Sequence, residues 1–220
     1  MVCLWTDILV YLLLLAAVMM MFYMGSQAHL KRPLAKLVAS PIAMASLSVL
    51  LVFASIGLVD SVHFKDANSQ RNELVSLLDL ACTDMRAHTE ISYSAPFAAY
   101  AFNKQMLSRS DGTTYWDFAR LQHGAAHLLS PDNELLGDVL LQSLKALLQS
   151  LALAGLLISL AKYLKPQYLW VPQSAKMVWM VLTLMSSGLY LMWVLSHNYH
   201  VLGTDKVGED VLYQALKSIR

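Results

Sequence analysis

The sequence predicts an all-α, polytopic membrane protein with four transmembrane helices and a helical extracytoplasmic loop. The chain of 220 residues is 57% hydrophobic and only 14% charged, whereas soluble domains carry about 25% charged residues. Charged residues are also absent from a few long windows, and a helix needs about 20 apolar residues to cross a hydrocarbon core of ~30 Å. The formal net charge of +1 gives no reason to expect a nucleic-acid partner.

Residues 1–60 contain the first two predicted spans. Ile8–Met24 is an apolar run that follows Asp7 and precedes the basic pair Lys31 and Arg32. A secretory signal would carry its positive charge before the apolar core, so we predict an uncleaved anchor. The second span, Pro41–Val59, opens with a proline, which the first turn of a helix tolerates.

Residues 146–196 contain the third and fourth predicted spans. Ala146–Ala161 is short for a span, but Val139–Gln142 can extend it while Lys145 snorkels towards water. Ser130-Pro131-Asp132 is predicted to start the helix that enters this span. Met177–Leu195 carries a tryptophan near each end, and this residue favours the membrane interface. One window could instead be a buried or re-entrant helix, and the short third window is the leading candidate for that alternative.

The charges of the connecting segments predict the orientation. Ser26–Ser40 and Lys162–Lys176 each contain three Lys or Arg residues and no acidic residue, and short basic loops stay in the cytoplasm. The long segment 61–145 and both termini then lie outside. No charged residue interrupts the middle of a span, which disfavours the ion or proton path of a secondary transporter or pump.

The outer segment 61–145 is long enough to fold. Leucine spacing predicts an amphipathic helix over Asn72–Ala87, and Phe97–Leu107 is predicted to form a second short helix before a turn at Ser110-Asp111-Gly112. An apolar cluster follows, comprising Tyr115, Trp116, Phe118 and Leu121. This cluster either contacts a soluble partner, or packs under the loop or at the lipid headgroups, as amphipathic rings commonly do.

His123 and His127 are the residues most suggestive of chemistry, because their spacing on a helix places two imidazoles on one face, as in metal sites. Gly124, however, stands where a zincin motif has its glutamate base. A third ligand would have to come from His63, His88, His197 or His200. The other interpretation is surface histidines that are hydrogen-bonded to their neighbours. We therefore predict no catalytic residue, no metal and no cofactor, and keep a metal-dependent membrane enzyme as an alternative.

The two cysteines, Cys3 and Cys82, make neither a disulfide framework nor a zinc site. Both fall on the predicted outer side, where a disulfide could form in an oxidising periplasm. Their positions, beside the first span and in a predicted helix, favour free thiols.

Residues 197–220 form the last predicted segment. Gly203 and Gly208 permit tight turns, and Thr204 or Asp205 can cap a helix by accepting backbone N–H bonds. The apolar residues that follow share one helix face: Val211, Leu212, Ala215, Leu216 and Ile219. This spacing predicts an interfacial helix along the outer surface of the membrane.

Two stretches resemble the permease subunits of oligopeptide/dipeptide-type ABC transporters. The more specific one resembles the family's segment outside the membrane, just ahead of the pore-forming helices: Leu202-Gly203-Thr204-Asp205-x-x-Gly208-x-Asp210-Val211-Leu212. The other is Ser40–Leu47, followed by the aliphatic run Val49–Val52. The resemblance implies structural roles, rather than substrate binding, for the motif residues Gly203, Thr204, Asp205, Gly208 and Asp210. Glu209 departs from the family, which usually has arginine at that position.

The resemblance implies that the chain is the N-terminal portion of a permease subunit of an ABC importer for peptides or related small solutes, in the bacterial inner membrane. Its partners would be the lipid bilayer, a second permease subunit, ATP-binding subunits and a periplasmic solute-binding protein. We expect no catalysis and no transport by this chain alone, because the family's pore helices and cytoplasmic Glu-Ala-Ala loop do not occur in it. Either a truncated reading frame or a neighbouring polypeptide is expected to account for them.

The alternative function is that of a non-transport membrane protein. It would act as an assembly or regulatory partner of another complex, with its outer loop as the binding module.

Overall fold

The computed structural model describes residues 4–65, 74–109, 111–164 and 173–220. The described part is mostly helical. Its elements, in chain order, are α1 (Trp5–Ser26), α2 (Ala28–Ala39), α3 (Pro41–Asp60), β1 (His63–Lys65), β2 (Leu74–Ser76), α4 (Leu77–Ala81), α5 (Thr83–Ala87), β3 (Tyr100–Ser108), β4 (Thr114–Arg120), α6 (Pro131–Leu164), α7 (Gln173–Leu195) and α8 (Val211–Lys217).

The helices α1, α3, α6 and α7 are long and apolar enough to cross a membrane. The prediction of four such helices is therefore confirmed. Their large apolar side chains are mostly exposed in the isolated chain, and in α1 the only buried residue is Asp7. This inversion of the pattern of a soluble protein is compatible with a lipid environment. The helix that contains the third span begins at Pro131, within the predicted start Ser130-Pro131-Asp132, and so extends well upstream of the apolar window Ala146–Ala161.

The connection between the first two long helices is itself helical. Only Gln27 separates α2 from α1, and only Ser40 separates α2 from α3. Ser40 caps α3, because its hydroxyl oxygen accepts the N–H of Ala43 at 3.5 Å, and Pro41 occupies the first helical position as predicted.

The purely helical fold class is wrong in the segment between α3 and α6. Two antiparallel pairs of strands occur there, β1 with β2 and β3 with β4. The predicted helix Phe97–Leu107 is replaced by β3, whose register sets Met106 opposite Trp116 and Lys104 opposite Phe118. The apolar spacing of this stretch fits a helix by itself, but cross-strand pairing with an aromatic strand stabilises the extended conformation.

The turn of this hairpin lies close to its predicted place, although Ser110 is outside the described residues. Gly112 has a φ of 82°, which favours glycine. The N–H of Gly112 donates to the carbonyl of Arg109 at 3.0 Å, and the Asp111 carboxylate accepts the N–H of Thr113 at 3.0 Å. A side chain that bonds the backbone two residues on is typical of such turns.

The predicted amphipathic helix Asn72–Ala87 is divided into β2, α4 and α5, and Asn72 itself lies outside the described residues. Ser76 and Asp79 explain where α4 starts. The Asp79 carboxylate accepts the N–H of Ser76 at 3.0 Å, and the Ser76 hydroxyl oxygen accepts the N–H of Asp79 at 3.1 Å. This reciprocal pair has the pattern of a capping box and begins a helix at that point.

The chain divides into two compact units, and two of the four boundaries between them fall within α6 and α7. Unit 1 comprises Met1–Ala81, Leu151–Ser186 and Ile219–Arg220, and unit 2 comprises Cys82–Ser150 and Ser187–Ser218. Unit 2 contains the hairpin and the C-terminal motif. The prediction that Cys3 and Cys82 do not form a disulfide involves a residue outside the described part of the chain, because Cys3 is not described. Cys82 is buried in unit 2.

Unit 1 holds a buried charge cluster around Arg220. One nitrogen of the Arg220 guanidinium lies 2.7 Å from the carboxylate of Asp7, and another lies 3.5 Å from that of Asp60. Nδ1 of His63 lies 3.1 Å from the other Asp7 oxygen. Asp7 stands in the first turn of α1 and Asp60 ends α3. The start of α1, the end of α3 and Arg220 therefore lie at the same end of unit 1.

Candidate functional site

The motif residues lie in the turns between α7 and α8, inside unit 2. Gly203 and Gly208 have φ values of 79° and 85°, which L-residues with a side chain rarely adopt. A Cβ on Gly203 would lie 2.3 Å from the carbonyl oxygen of Ser94, and one on Gly208 would lie 1.8 Å from that of Glu90. Both positions therefore require glycine for two reasons, the backbone conformation and the close approach of another strand of chain.

Thr204 joins the motif to residues 92–94. Its backbone N–H donates to the Ser94 hydroxyl oxygen at 3.1 Å, and its own hydroxyl donates to the carbonyl of Ser92 at 2.8 Å. Thr204 is buried, with 4% of its surface exposed. Because both polar groups are satisfied, the burial carries no desolvation penalty for an unpaired group.

The two motif aspartates organise the backbone around them. The Asp205 carboxylate accepts the N–H groups of Val207 and Glu209, both at 2.9 Å. The Asp210 carboxylate accepts the N–H groups of Leu212 at 2.8 Å and Tyr213 at 3.3 Å, and Asp210 is the N-cap of α8. The expectation that Thr204 or Asp205 caps this helix is thus wrong: Asp205 closes the preceding turn, and the cap is Asp210.

Glu209 occupies the position where the resembling family usually has arginine. Its carboxylate accepts a hydrogen bond from the Gln214 side chain at 3.0 Å, and the residue is exposed. Gln214 also donates to Asp205 at 2.8 Å, which is the main reason that the pKa of the Asp205 carboxyl is lowered. The departure from the family therefore lies at the surface of the motif.

A buried ionic network holds the motif residue Asp210 in place. The sequence alone did not reveal this network. Nδ1 of His200 lies 2.8 Å from the Asp210 carboxylate, and Nε2 lies 3.4 Å from that of Glu90. Glu90 also accepts three backbone N–H groups, from Gln122 at 2.8 Å, His123 at 2.7 Å and Gly124 at 3.1 Å. Glu90 is thereby held between the motif and the segment 122–124, which is distant from the motif in sequence.

The network keeps both partners ionised. Burial opposes the ionisation of Glu90, but hydrogen bonds from His200 and the three backbone N–H groups outweigh it and lower its pKa to about 2. Burial likewise disfavours the imidazolium of His200, but hydrogen bonds and charge attraction from Asp210 and Glu90 raise its pKa to about 9. At neutral pH the His200 imidazolium therefore lies against ionised Glu90, an arrangement that positions chain segments.

His123 and His127 do not share a helix face, because residues 122–127 form turns and Ala125 has a φ of 56°. His123 stacks on His88 with ring centroids 4.5 Å apart. Nε2 of His127 lies 2.9 Å from the Asp138 carboxylate, which also accepts the hydroxyl of Tyr199. Burial and the hydrogen bond from the Tyr199 hydroxyl to Asp138 raise the pKa of Tyr199.

The other histidines considered as a third metal ligand are also spread out. His63 belongs to the Arg220 cluster of unit 1, His200 to the network of unit 2, and His197 lies 3.4 Å from Asp84. Among the residues described, no group of three or more His, Cys, Asp or Glu side chains could hold a metal ion.

The aromatic residues predicted to form one cluster are divided by the hairpin. Leu121 is buried and belongs to a small core with Ala101 and Ala119. Tyr115, Trp116 and Phe118 stay exposed on β4, and Trp116 has 65% of its surface accessible. Packing under the loop is therefore wrong for these three rings.

The described architecture defines a class of protein: a mostly helical chain with four helices long and apolar enough to span a membrane. No family model matches the chain, and neither a curated protein nor a solved structure matches it. The evidence for a more specific function is therefore the chain's own residues and their geometry.

Proposed function

We propose that the chain is the N-terminal portion of a permease subunit of an ABC importer for peptides or related small solutes, in the inner membrane of a bacterium. The observation that carries this proposal is the motif loop Leu202–Leu212. Gly203 and Gly208 have positive φ at close approaches, and Asp210 caps the following helix. The glycines and the aspartate on which the family resemblance rests are therefore the residues that these turns and this helix cap require.

The proposed topology places both termini outside and α2 in the cytoplasm. The contact of Arg220 with Asp7 and Asp60 supports it, since the start of α1, the end of α3 and the chain's last residue lie at one end of unit 1. The helix α2 joins the opposite ends of α1 and α3 and carries Lys31, Arg32 and Lys36 without an acidic residue. Such a segment favours the cytoplasmic side.

In this proposal the chain provides a membrane scaffold and contacts on the outer surface, catalyses no reaction and does not transport alone. ATP hydrolysis in separate ATP-binding subunits drives transport through a pore formed with a second permease subunit. A periplasmic solute-binding protein delivers the solute. Neither α2 nor the start of α7 contains a Glu-Ala-Ala motif, which docks the ATP-binding subunit in the resembling family. We therefore assign the contact with the ATP-binding subunit to other helices of the importer.

The test is copurification. The chain is expressed from its natural locus with the neighbouring DNA intact and an affinity tag at the N-terminus. The detergent extract is then analysed for an ATP-binding subunit. We expect that subunit and labelled-peptide uptake that depends on it. A complex without any ATP-binding protein, together with uptake that is unchanged when the locus is deleted, would contradict the proposal.

A second function, that of an assembly or regulatory partner, is favoured by the exposed hairpin. Phe102, Met106 and Trp116 each expose 60% or more of their surface, and exposed aromatic patches are typical of interaction surfaces. A photo-crosslinking amino acid at position 116 distinguishes the two functions. Crosslinks to importer components support the permease, whereas crosslinks to an unrelated complex support the partner function.

A further inference from the structure

We propose that unit 1 binds an anionic phospholipid at the end where α2 lies, with its phosphate at Lys176 and the basic face of α2 and part of an acyl chain in the cleft beside them. This inference requires the four helices to lie in a membrane, but it does not depend on the proposed transport function.

The first step concerns the position of α2. Single residues connect it to α1 and α3, which are both of membrane length. A helix of 12 residues held in this way has to lie at the surface of the bilayer. Its basic residues Lys31, Arg32 and Lys36 are exposed, and the apolar residues Leu37 and Val38 also keep 56% and 55% of their surface accessible. Such an amphipathic basic helix is typical of membrane interfaces.

The second step concerns a cleft at the same end of unit 1. It has a volume of about 220 Å³ and is lined by Pro41, Gln173, Lys176, Met177 and Met180. Pro41 begins α3 directly after α2 ends, and Gln173 begins α7. The cleft therefore opens between the starts of two membrane-length helices. It is smaller than the roughly 300 Å³ at the lower end of small-molecule pockets, which suits a segment of a lipid chain better than a whole soluble ligand.

The third step concerns charge. Within the described residues 26–41 and 173–180 there are four Lys or Arg residues and no Asp or Glu. Lys176 is exposed at the cleft, and the two methionines that also line it are apolar and adaptable in shape. A phospholipid matches this arrangement because it joins an anionic headgroup, which suits the basic residues, to an apolar chain, which suits the cleft. An acidic protein segment would satisfy the cations but would leave the apolar cleft unfilled.

The experiment measures lipid retention by the whole chain, without any ATP-binding subunit. The purified protein is reconstituted into nanodiscs containing equal amounts of phosphatidylglycerol and phosphatidylcholine, and the lipids that stay bound after release are counted by native mass spectrometry. We expect phosphatidylglycerol to be retained preferentially. The Lys176→Gln variant should reduce the ratio of bound phosphatidylglycerol to phosphatidylcholine about fivefold, the effect expected for one basic residue at an anionic surface.

Three further variants make the result specific. Lys206→Gln, which removes an exposed lysine of unit 2, should leave the ratio unchanged, and Lys176→Arg should preserve it because the charge is kept. Met177→Trp should lower phosphatidylglycerol retention by filling the cleft while all four charges remain. Equal retention of the two lipids by the wild-type protein, or an unchanged ratio in a folded Lys176→Gln variant, overturns the proposal. Failure of the copurification test above, with lipid selectivity intact, would reject the transport function alone.

Discussion

At the scale of single residues, the C-terminal motif shows why particular amino acids occur where they do. Gly208 lies under the backbone of Glu90, whose N–H donates to the Gly208 carbonyl at 2.8 Å. Asp210 both caps α8 and faces His200. The ion pairs are buried, so removing one partner costs more than the pair contributes, because the remaining charge is left without compensation.

Gly208→Ala tests the close approach, and Gly112→Ala is its matched control. Both glycines have positive φ, but a Cβ on Gly112 meets nothing within 4 Å. The control should cost about 1 kcal/mol for the left-handed conformation, and Gly208→Ala about 2–4 kcal/mol, since the backbone must shift as well. The measurement is the thermal midpoint at which buried Cys82 reacts with a thiol dye in a Cys3→Ser background. Equal midpoints for the two variants would contradict the packing described.

The pH dependence of unit 2 tests the network around His200. Its pKa is raised in the folded state from 6.5 to about 9, so the stabilisation is complete below pH 6.5 and is lost as the pH rises from 6.5 through about 9. The Cys82 midpoint of the wild-type protein should fall over this range. His200→Gln should lower the midpoint at pH 6 and abolish the alkaline fall, whereas His197→Gln, at an exposed histidine, should retain it. A fall of the same size in His200→Gln would assign it to another group.

At the scale of elements, the hairpin β3–β4 places buried and exposed side chains within a few residues of each other. The alternation of a strand sends neighbouring side chains to opposite faces. Ala119 is buried next to exposed Phe118, and Leu121, directly after β4, packs with Ala101 although Trp116 on β4 stays accessible. The exposed rings contact cations instead: Lys104 lies 5.4 Å from the Phe118 ring centroid and Arg109 lies 5.6 Å from that of Tyr115.

Leu121→Ala and Trp116→Ala should therefore differ strongly in stability. Deleting the buried leucine side chain should cost about 2–3 kcal/mol through the cavity it leaves. The exposed tryptophan, although larger, should cost within about 0.5 kcal/mol. Denaturant unfolding in mild detergent, followed by Cys82 reactivity, measures both. A larger loss for Trp116→Ala would mean that its face is covered in the solution state.

At the scale of the whole molecule, the four long helices determine how often the chain can cross a bilayer. The Arg220 cluster holds the start of α1 and the end of α3 together in unit 1. Asp7, with no exposed surface, and Asp60, with 2%, require a cation at that end. Arg220 provides it. The opposite end of unit 1 carries the basic helix α2.

Cysteine labelling tests the proposed orientation. Single cysteines at Ala35, Asn103 and Gln173, in a background with Cys3 and Cys82 replaced by serine, are exposed to a membrane-impermeant maleimide in intact cells. We expect Asn103→Cys to react from outside and Ala35→Cys and Gln173→Cys to react only after the cells are permeabilised, because the proposed topology places the basic residues of α2 and the start of α7 in the cytoplasm. External labelling at position 35 or 173 would reverse the assignment.

The sequence by itself determined the features that depend on composition and local spacing. Four apolar windows predict four helices because the hydrocarbon core accepts only saturated backbone hydrogen bonds, and Ser40-Pro41 marks the start of α3. The two glycines of the motif were predicted to turn, and both have positive φ. Phe97–Leu107 was misassigned because its apolar spacing fits a helix until β4 is available as a pairing partner.

Only the tertiary structure decided which distant residues meet. Glu90 lies 110 positions before His200, and Arg220 lies 213 positions after Asp7, so no local pattern could have paired them. These pairs form because burying a charge is costly. A buried charge is tolerated only where folding brings an opposite charge or backbone N–H groups next to it. Composition determines that charged residues avoid the spans, and three-dimensional packing determines where each remaining charge finds its partner.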